Sequence, residues 1–337
     1  MKILIVSPSW IGDAVMAQCL FKIIKQEQPD CRLEVLAPRW PLPLFSRMKE
    51  INSSILSPFE HGELNIKGRY NLGIAIRSKK FDRAIVMTNS YKSALVPFFA
   101  RIPERSGWIG ELRYGLINDV RKDNSKYTQL MIERFSALFL DSKDISVRNI
   151  PLPSLTADEK NTDKILSANN INRSNKTIVF CPGAEFGMVK RWPTYRFSVV
   201  VQHYLNLGWN AILLGSKKDS NIATEIIEPL AKNHSGLFDL TGKTSIQDAL
   251  DILSVSDLAL TNDSGLMHVA AAVGTPLVAL YGPTSPEYTP PLGPLCKVIK
   301  KNSGFSKTRV GDRHDGYHSS LFEISPEEVI ETLNGNV

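Results

Sequence analysis

The chain has 337 residues, 43% of them hydrophobic and 22% charged; at roughly 150 residues per domain this predicts two domains and excludes wholesale disorder, collagen-like repeats and coiled coil. Its net charge of +6 comes from one half only, since residues 1–150 carry 23 basic and 15 acidic side chains, a net +8, and residues 151–337 carry 17 and 19, a net −2. The first half is therefore expected to meet something anionic, whether nucleic acid, a membrane surface or a phosphorylated substrate.

The chain opens with a β-branched run, Ile3–Val6, which Ser7-Pro8 cuts short. That is too brief for a signal-peptide core, and nowhere do the roughly 20 apolar residues that span a bilayer occur, so the expected compartment is the cytoplasm. An amphipathic stretch over Ala14–Lys25, a strand at Leu33–Leu36, a helical segment at Leu72–Lys80 and a strand at Ala84–Met87 follow. This is the βαβ rhythm of a parallel sheet with helices on its faces. Pro151 and Pro153 interrupt both periodicities within the polar stretch 141–156, the expected join. The rhythm then returns, with strands at Thr177–Phe180, Ala211–Leu214, Gly236–Asp239, Leu258–Leu260 and Leu277–Leu280. Helices are expected at Tyr195–Leu207, Ile222–Lys232, Ile246–Leu253 and Leu266–Val273. A last helix, about 325–335, starts with Pro326 and two acids and could pack on either domain. The four cysteines, Cys19, Cys31, Cys181 and Cys296, form no C-x-x-C pair and have no histidine nearby, so neither a disulfide framework nor a structural zinc site is expected. The predicted fold class is α/β, two Rossmann-like doubly wound domains, 1–150 and 151–337, facing a cleft at the carboxyl ends of their strands.

Functional residues of such sheets lie just after the strands. The first such loop, Ser7–Asp13, lacks the G-x-G-x-x-G dinucleotide fingerprint, as does every other strand end, which argues against nicotinamide and flavin cofactors. Asp13 stands at a helix start, where it either caps free N–H groups or, ionised at neutral pH, takes a proton from a bound hydroxyl. Trp10 suits a sugar face or a core position. The loop 181–193 offers two glycines, Gly183 and Gly187, for close backbone approach to a donor, with Ala184 and Glu185 beside the first as further candidate contacts, and Lys190 and Arg191 as fixed charge for a diphosphate, unless the pair is only a basic surface loop. After Leu258–Leu260 the chain turns through Asn262-Asp263-Ser264-Gly265 into an alanine-rich helix whose free amides suit a phosphate. Asp263 would repel that phosphate, so it caps the helix or accepts from sugar hydroxyls. His268, one turn in, is either structural or catalytic. Ser216 and Asp219, and Thr241 and Thr244, sit in polar turns that suit a nucleoside pocket or are ordinary loop chemistry. Gly242-Lys243-Thr244 lacks the upstream glycine and spacer of a P-loop. A catalytically silent protein that docks its basic half on an anion stays open beside an enzyme. No nucleic-acid module appears, so no nucleic-acid partner is expected.

The segments Pro8–Asp13, 89–99, Gly107-Trp108, 113–121, 181–193, Thr261–Ala272 and Ala279–Pro283, in this order, resemble the bacterial heptosyltransferases of glycosyltransferase family 9, most of all its second-heptose branch. The resemblance implies a GT-B architecture with the acceptor on the first domain and the nucleotide sugar on the second. It implies inverting, metal-independent transfer of L-glycero-D-manno-heptose from ADP-heptose to the heptose of heptosyl-Kdo2-lipid A, in lipopolysaccharide inner-core synthesis, with no cofactor. The alternatives are a heptosyltransferase acting on a different core acceptor and a sugar-nucleotide epimerase on the same fold. Asp13 falls on the family's proposed base, Lys190 on the lysine beside the diphosphate, and Asp263, Ser264, Gly265 and His268 on the donor loop. Lys92, Arg113 and Arg121 become expected contacts to the anionic acceptor, and peripheral contact with the cytoplasmic face of the inner membrane follows from its lipid.

Overall fold

A computed structural model describes residues 1–121, 128–141, 145, 149–185, 187–230, 235–301 and 310–335. They form two compact units, Met1–Ser154 and Leu155–Val337, and the boundary falls within the proline-interrupted stretch.

The first unit runs β1 (Lys2–Val6), α1 (Ile11–Met16), α2 (Gln18–Glu27), β2 (Arg32–Ala37), α3 (Leu42–Phe45), β3 (Ser53–Leu56), α4 (Ile66–Ile76), β4 (Arg83–Val86), α5 (Leu95–Phe99), β5 (Glu104–Trp108), β6 (Asp119–Arg121) and α6 (Met131–Ser136). The second runs α7 (Glu159–Ala168), β7 (Thr177–Cys181), α8 (Thr194–Asn206), β8 (Asn210–Leu213), α9 (Ser220–Ile227), β9 (Leu237–Asp239), α10 (Ile246–Ser254), β10 (Leu258–Asn262), α11 (Gly265–Val273), β11 (Leu277–Tyr281), β12 (Cys296–Lys300), α12 (Ser319–Phe322) and α13 (Pro326–Asn334). The two sheets are ordered β3-β2-β1-β4-β5-β6 and β12-β11-β10-β7-β8-β9, and their strand pairs are parallel. Read from its far edge, the second repeats the winding of the first. Each unit therefore has a topological switch point where the strand order reverses, between β1 and β4 and between β7 and β10.

The central strands are continuous apolar runs because helices cover both faces. Ile3, Leu4, Ile5, Ile178, Val179, Phe180, Leu258 and Leu260 are all fully buried. Sequence pattern passed over β3, β5, β6 and β12. Three of these are edge strands carrying serines, charges and exposed side chains, as edges do to avoid pairing with other chains. In β5 the polar residues are satisfied laterally: the Arg83 guanidinium contacts Glu104 and Asp119, and the Ser106 hydroxyl donates to Asp119.

Two helices differ from expectation. α1 starts at Ile11, not Ala14, because Trp10 is extended and caps it through its backbone. The segment expected over 72–80 begins earlier, at Ile66, where the Asn65 side chain accepts from the Gly68 amide. α13 packs on α8 and β11, with Val329 and Leu333 in the second unit's core. The end of the helix expected over 222–232 lies outside the described residues. No helix among the described residues is long and apolar enough to cross a membrane. All four cysteines are free, three of them buried.

Candidate active site

In the second unit the switch point is built by the loops after β7 and β10. Asn262, at the end of β10, is fully buried. Its side-chain oxygen accepts from the Trp192 amide at 3.1 Å and its amide donates to the Pro182 carbonyl at 2.7 Å. Asn262 was expected to contact a donor; instead both ends of its amide clamp the loop 182–192 onto β10. That clamp carries Lys190, whose Nζ lies 2.6 Å from Oδ2 of Asp263. The Thr284 hydroxyl donates to the same oxygen at 2.7 Å. Asp263 therefore does not cap α11, a correction to one of its two sequence readings. Ser264 stands at the N-cap with no side-chain cap bond, and neither Ser264 nor Gly265 is fully buried. The positive end of α11 thus stays available to an anion.

His268 is 5% exposed on the first turns of α11. Burial pushes its ring down to about 4, against a weaker upward pull from Asp263 and a downward one from Lys190. It is therefore neutral near pH 7. Its Nδ1 and the Nε of Arg191 are buried without a hydrogen-bond partner among the described residues. Two such atoms beside the open end of α11 can be satisfied by water or by a polar ligand. The Arg191 guanidinium donates to the Ala184 carbonyl at 3.2 Å and lies 3.9 Å from Asp219.

The outer parts of the expected donor loop are committed to the fold. Asp219 Oδ2 accepts from the Ser216 amide and hydroxyl, both at 2.8 Å. A Cβ on Gly183 would meet that carboxyl at 2.5 Å, which is why glycine stands there. Ser216 and Asp219 thus close a turn against the loop rather than opening a pocket. Thr241 is buried, its hydroxyl donating to Asp239 at 2.5 Å, so it too is spent. Thr244 is half-buried and Glu185 is exposed, pairing with Lys218 at 2.7 Å. Phe186 lies outside the described residues.

In the first unit the switch point is flanked by the loops after β1 and β4. Asp13 is half-buried at the third position of α1, within the first turn, where the helix dipole favours a carboxylate. Trp10 is 38% exposed, so it is not a core tryptophan. Lys92 is half-buried on the turn after β4. Arg113 corrects an expectation. It is fully buried and donates to the carbonyls of Trp108, Thr88 and Ser90 and to the Ser93 hydroxyl, its shortest bond 2.6 Å. It staples the loops after β4 and β5 together, and burial draws its guanidinium down to about 10. Arg121 is not presented outward as a lone charge either: it pairs with Asp119 at 2.9 Å.

A family model described as glycosyltransferase family 9 (heptosyltransferase) matches residues 69–318. The chain belongs to glycosyltransferase family 9. It is 43% identical over 340 residues to lipopolysaccharide heptosyltransferase 2 of Salmonella typhimurium and 44% identical to that of Escherichia coli K12, covering 99% of this chain and 98% of each relative. The solved structure of E. coli ADP-heptose LPS heptosyltransferase II superposes with a TM-score of 0.91 at 40% identity, covering 100% of this chain and 98% of that one. The paired doubly wound sheets are thus the GT-B fold of a family 9 transferase.

Sequence reasoning passed over one residue of this loop cluster and misread another. Thr284 was passed over because a threonine after Gly-Pro carries no signal until its partner Asp263 is placed. Asn262 was assigned the wrong job because burial, not residue type, decides whether an amide faces ligand or backbone.

Proposed function

We propose that this family 9 chain transfers L-glycero-D-manno-heptose from ADP-heptose to the heptose of heptosyl-Kdo2-lipid A. Identity of 43–44% over 99% of the chain to lipopolysaccharide heptosyltransferase 2 carries that reading. The second unit, 155–337, takes the nucleotide sugar, and the first, 1–154, the acceptor. Lys190, Arg191 and the free amides at the start of α11 face the charge that grows on the departing diphosphate, in place of a metal ion. Neutral His268 offers the same group a hydrogen bond. Asp13 draws the proton from the acceptor hydroxyl as that oxygen attacks the anomeric carbon from the side opposite the diphosphate. The carbon–oxygen bond to ADP breaks in the same step, and the configuration inverts. Lys92 contacts the anionic core of the acceptor. Because that acceptor is lipid-anchored, the first unit, which holds the basic surplus, works against the cytoplasmic face of the inner membrane.

The test is incubation of ADP-heptose with heptosyl-Kdo2-lipid A and with heptose-free Kdo2-lipid A, each with and without EDTA, reading product mass. Extension of the first acceptor alone, undiminished by EDTA, is expected. Turnover of the nucleotide sugar without acceptor would make the chain an epimerase, extension of the heptose-free acceptor would place it one step earlier, and loss of activity in EDTA would end the metal-free assignment.

A further inference from the structure

Three aromatic side chains on the first unit are used neither by its core nor by the steps above. Trp10 and Trp40 are each 38% exposed, and His61 is exposed. Scattered surface aromatics need no explanation, but these are not scattered. They come from the loops that follow β1, β2 and β3, three parallel strands adjacent in the sheet. Their carboxyl ends therefore share one edge, the edge that carries α1 and Asp13.

Each ring is held in place. The Trp40 indole N–H donates to the Ser9 carbonyl, so the ring's polar atom is spent on the loop that leads into α1. Trp10 and His61 lie with ring centroids 5.6 Å apart at 48°. The loop that carries His61 is fastened from below: the Arg69 guanidinium sits 4.1 Å over the buried Phe59 ring and donates to the carbonyls of Leu64, Glu63 and Lys92. Loop side chains fixed in this way bind with little ordering cost.

We propose that Trp10, Trp40 and His61 form an aromatic wall that receives a pyranose ring of the acceptor glycan. An indole offers a broad apolar surface to the C–H face of a sugar while the hydroxyls stay wet, and an imidazole edge offers a hydrogen bond to one of them. Trp10 immediately precedes the helix that holds Asp13, so a ring seated on the wall has its hydroxyls fixed relative to that carboxylate. Trp10 and His61 touch the sugar. Trp40 touches it and also acts as a positioning residue through Ser9. The inference rests on the acceptor reading above, and binding measured apart from turnover separates the two.

The probe is the deacylated glycan of heptosyl-Kdo2-lipid A, titrated calorimetrically into the full chain, with ADP as a second, separate ligand. Trp10→Ala, Trp40→Ala and His61→Ala are each expected to weaken glycan binding about tenfold or more and to leave ADP binding within about twofold. Trp10→Phe, which keeps a ring, retains most of the affinity. Trp40→Phe keeps the ring but loses the bond to Ser9, so it lowers kcat while the acceptor KM stays near that of the parent, and it stands in should Trp40→Ala fail to fold. Alanine variants that bind glycan as the parent does would overturn the wall, as would a parent chain that does not bind it. Parental activity in Trp40→Phe would overturn the Ser9 link. Glycan binding that the alanine variants lose, in a protein that transfers no heptose, would keep the wall and remove the transferase reading instead.

Discussion

Two side chains of the first unit, Asp13 and Arg113, show how burial separates chemistry from scaffolding. Both were expected to act on the acceptor, yet Asp13 is half-buried while Arg113 is sealed among carbonyls. Asp13→Asn should keep ADP-heptose affinity and lower kcat about 10²–10⁴-fold, the usual worth of a general base; unchanged turnover would remove it from that role. Arg113→Ala should instead cost about 3 kcal/mol of stability, because several buried carbonyls lose their donor together. Urea unfolding measures that loss, and activity per folded molecule should stay within a few-fold. Residue type fitted both roles equally well, so sequence had no means of telling them apart. His268 adds a pH signature. Burial holds the folded ring at about 4, below its ordinary value near 6.5. Unfolding between those two values takes up a proton, so this contribution to stability is whole above about pH 6.5 and is lost as pH falls toward 4. His268→Gln should flatten the stability profile across that window by about 3 kcal/mol, as read from melts at several pH values.

Among elements, the strands and helices that bury both faces were legible and the edges were not. β1, β7, β10 and β11 announce themselves as unbroken apolar runs, whereas β6 reads Asp119-Val120-Arg121 and is held by a lateral ion pair from Asp119 to Arg83 that no local pattern encodes. The start of α1 was misplaced for a related reason: a backbone cap at Trp10 leaves no trace in side-chain chemistry. α11 was placed to within a residue, and its alanines and the turn before it also suggested an anion site. Its open N-terminus carries a test of its own. Ser264→Asp puts a carboxylate where the helix dipole favours one, so melting temperature should hold or rise by about 1–3 °C. The same charge opposes a diphosphate, so the donor KM should rise while the acceptor KM stays. A donor KM that does not move would take α11 out of the nucleotide site.

The whole molecule consists of two units with one winding and a core in each. Calorimetry should resolve two transitions, and ADP at about 100 times its dissociation constant should raise one of them by about 5–10 °C, the effect of roughly 2.7 kcal/mol of linkage. Equal displacement of both transitions would contradict a nucleotide site confined to residues 155–337. Tandem sheets were readable from the repeated rhythm, and the polar, proline-bearing join marked where one sheet ends. That repeated winding has a practical reach. Since each half closes its own interior, the chain invites recombination at a single peptide after Ser154: under the division of labour proposed above, grafting the leading half of a relative onto this trailing half should transplant the choice of glycan and leave nucleotide preference behind.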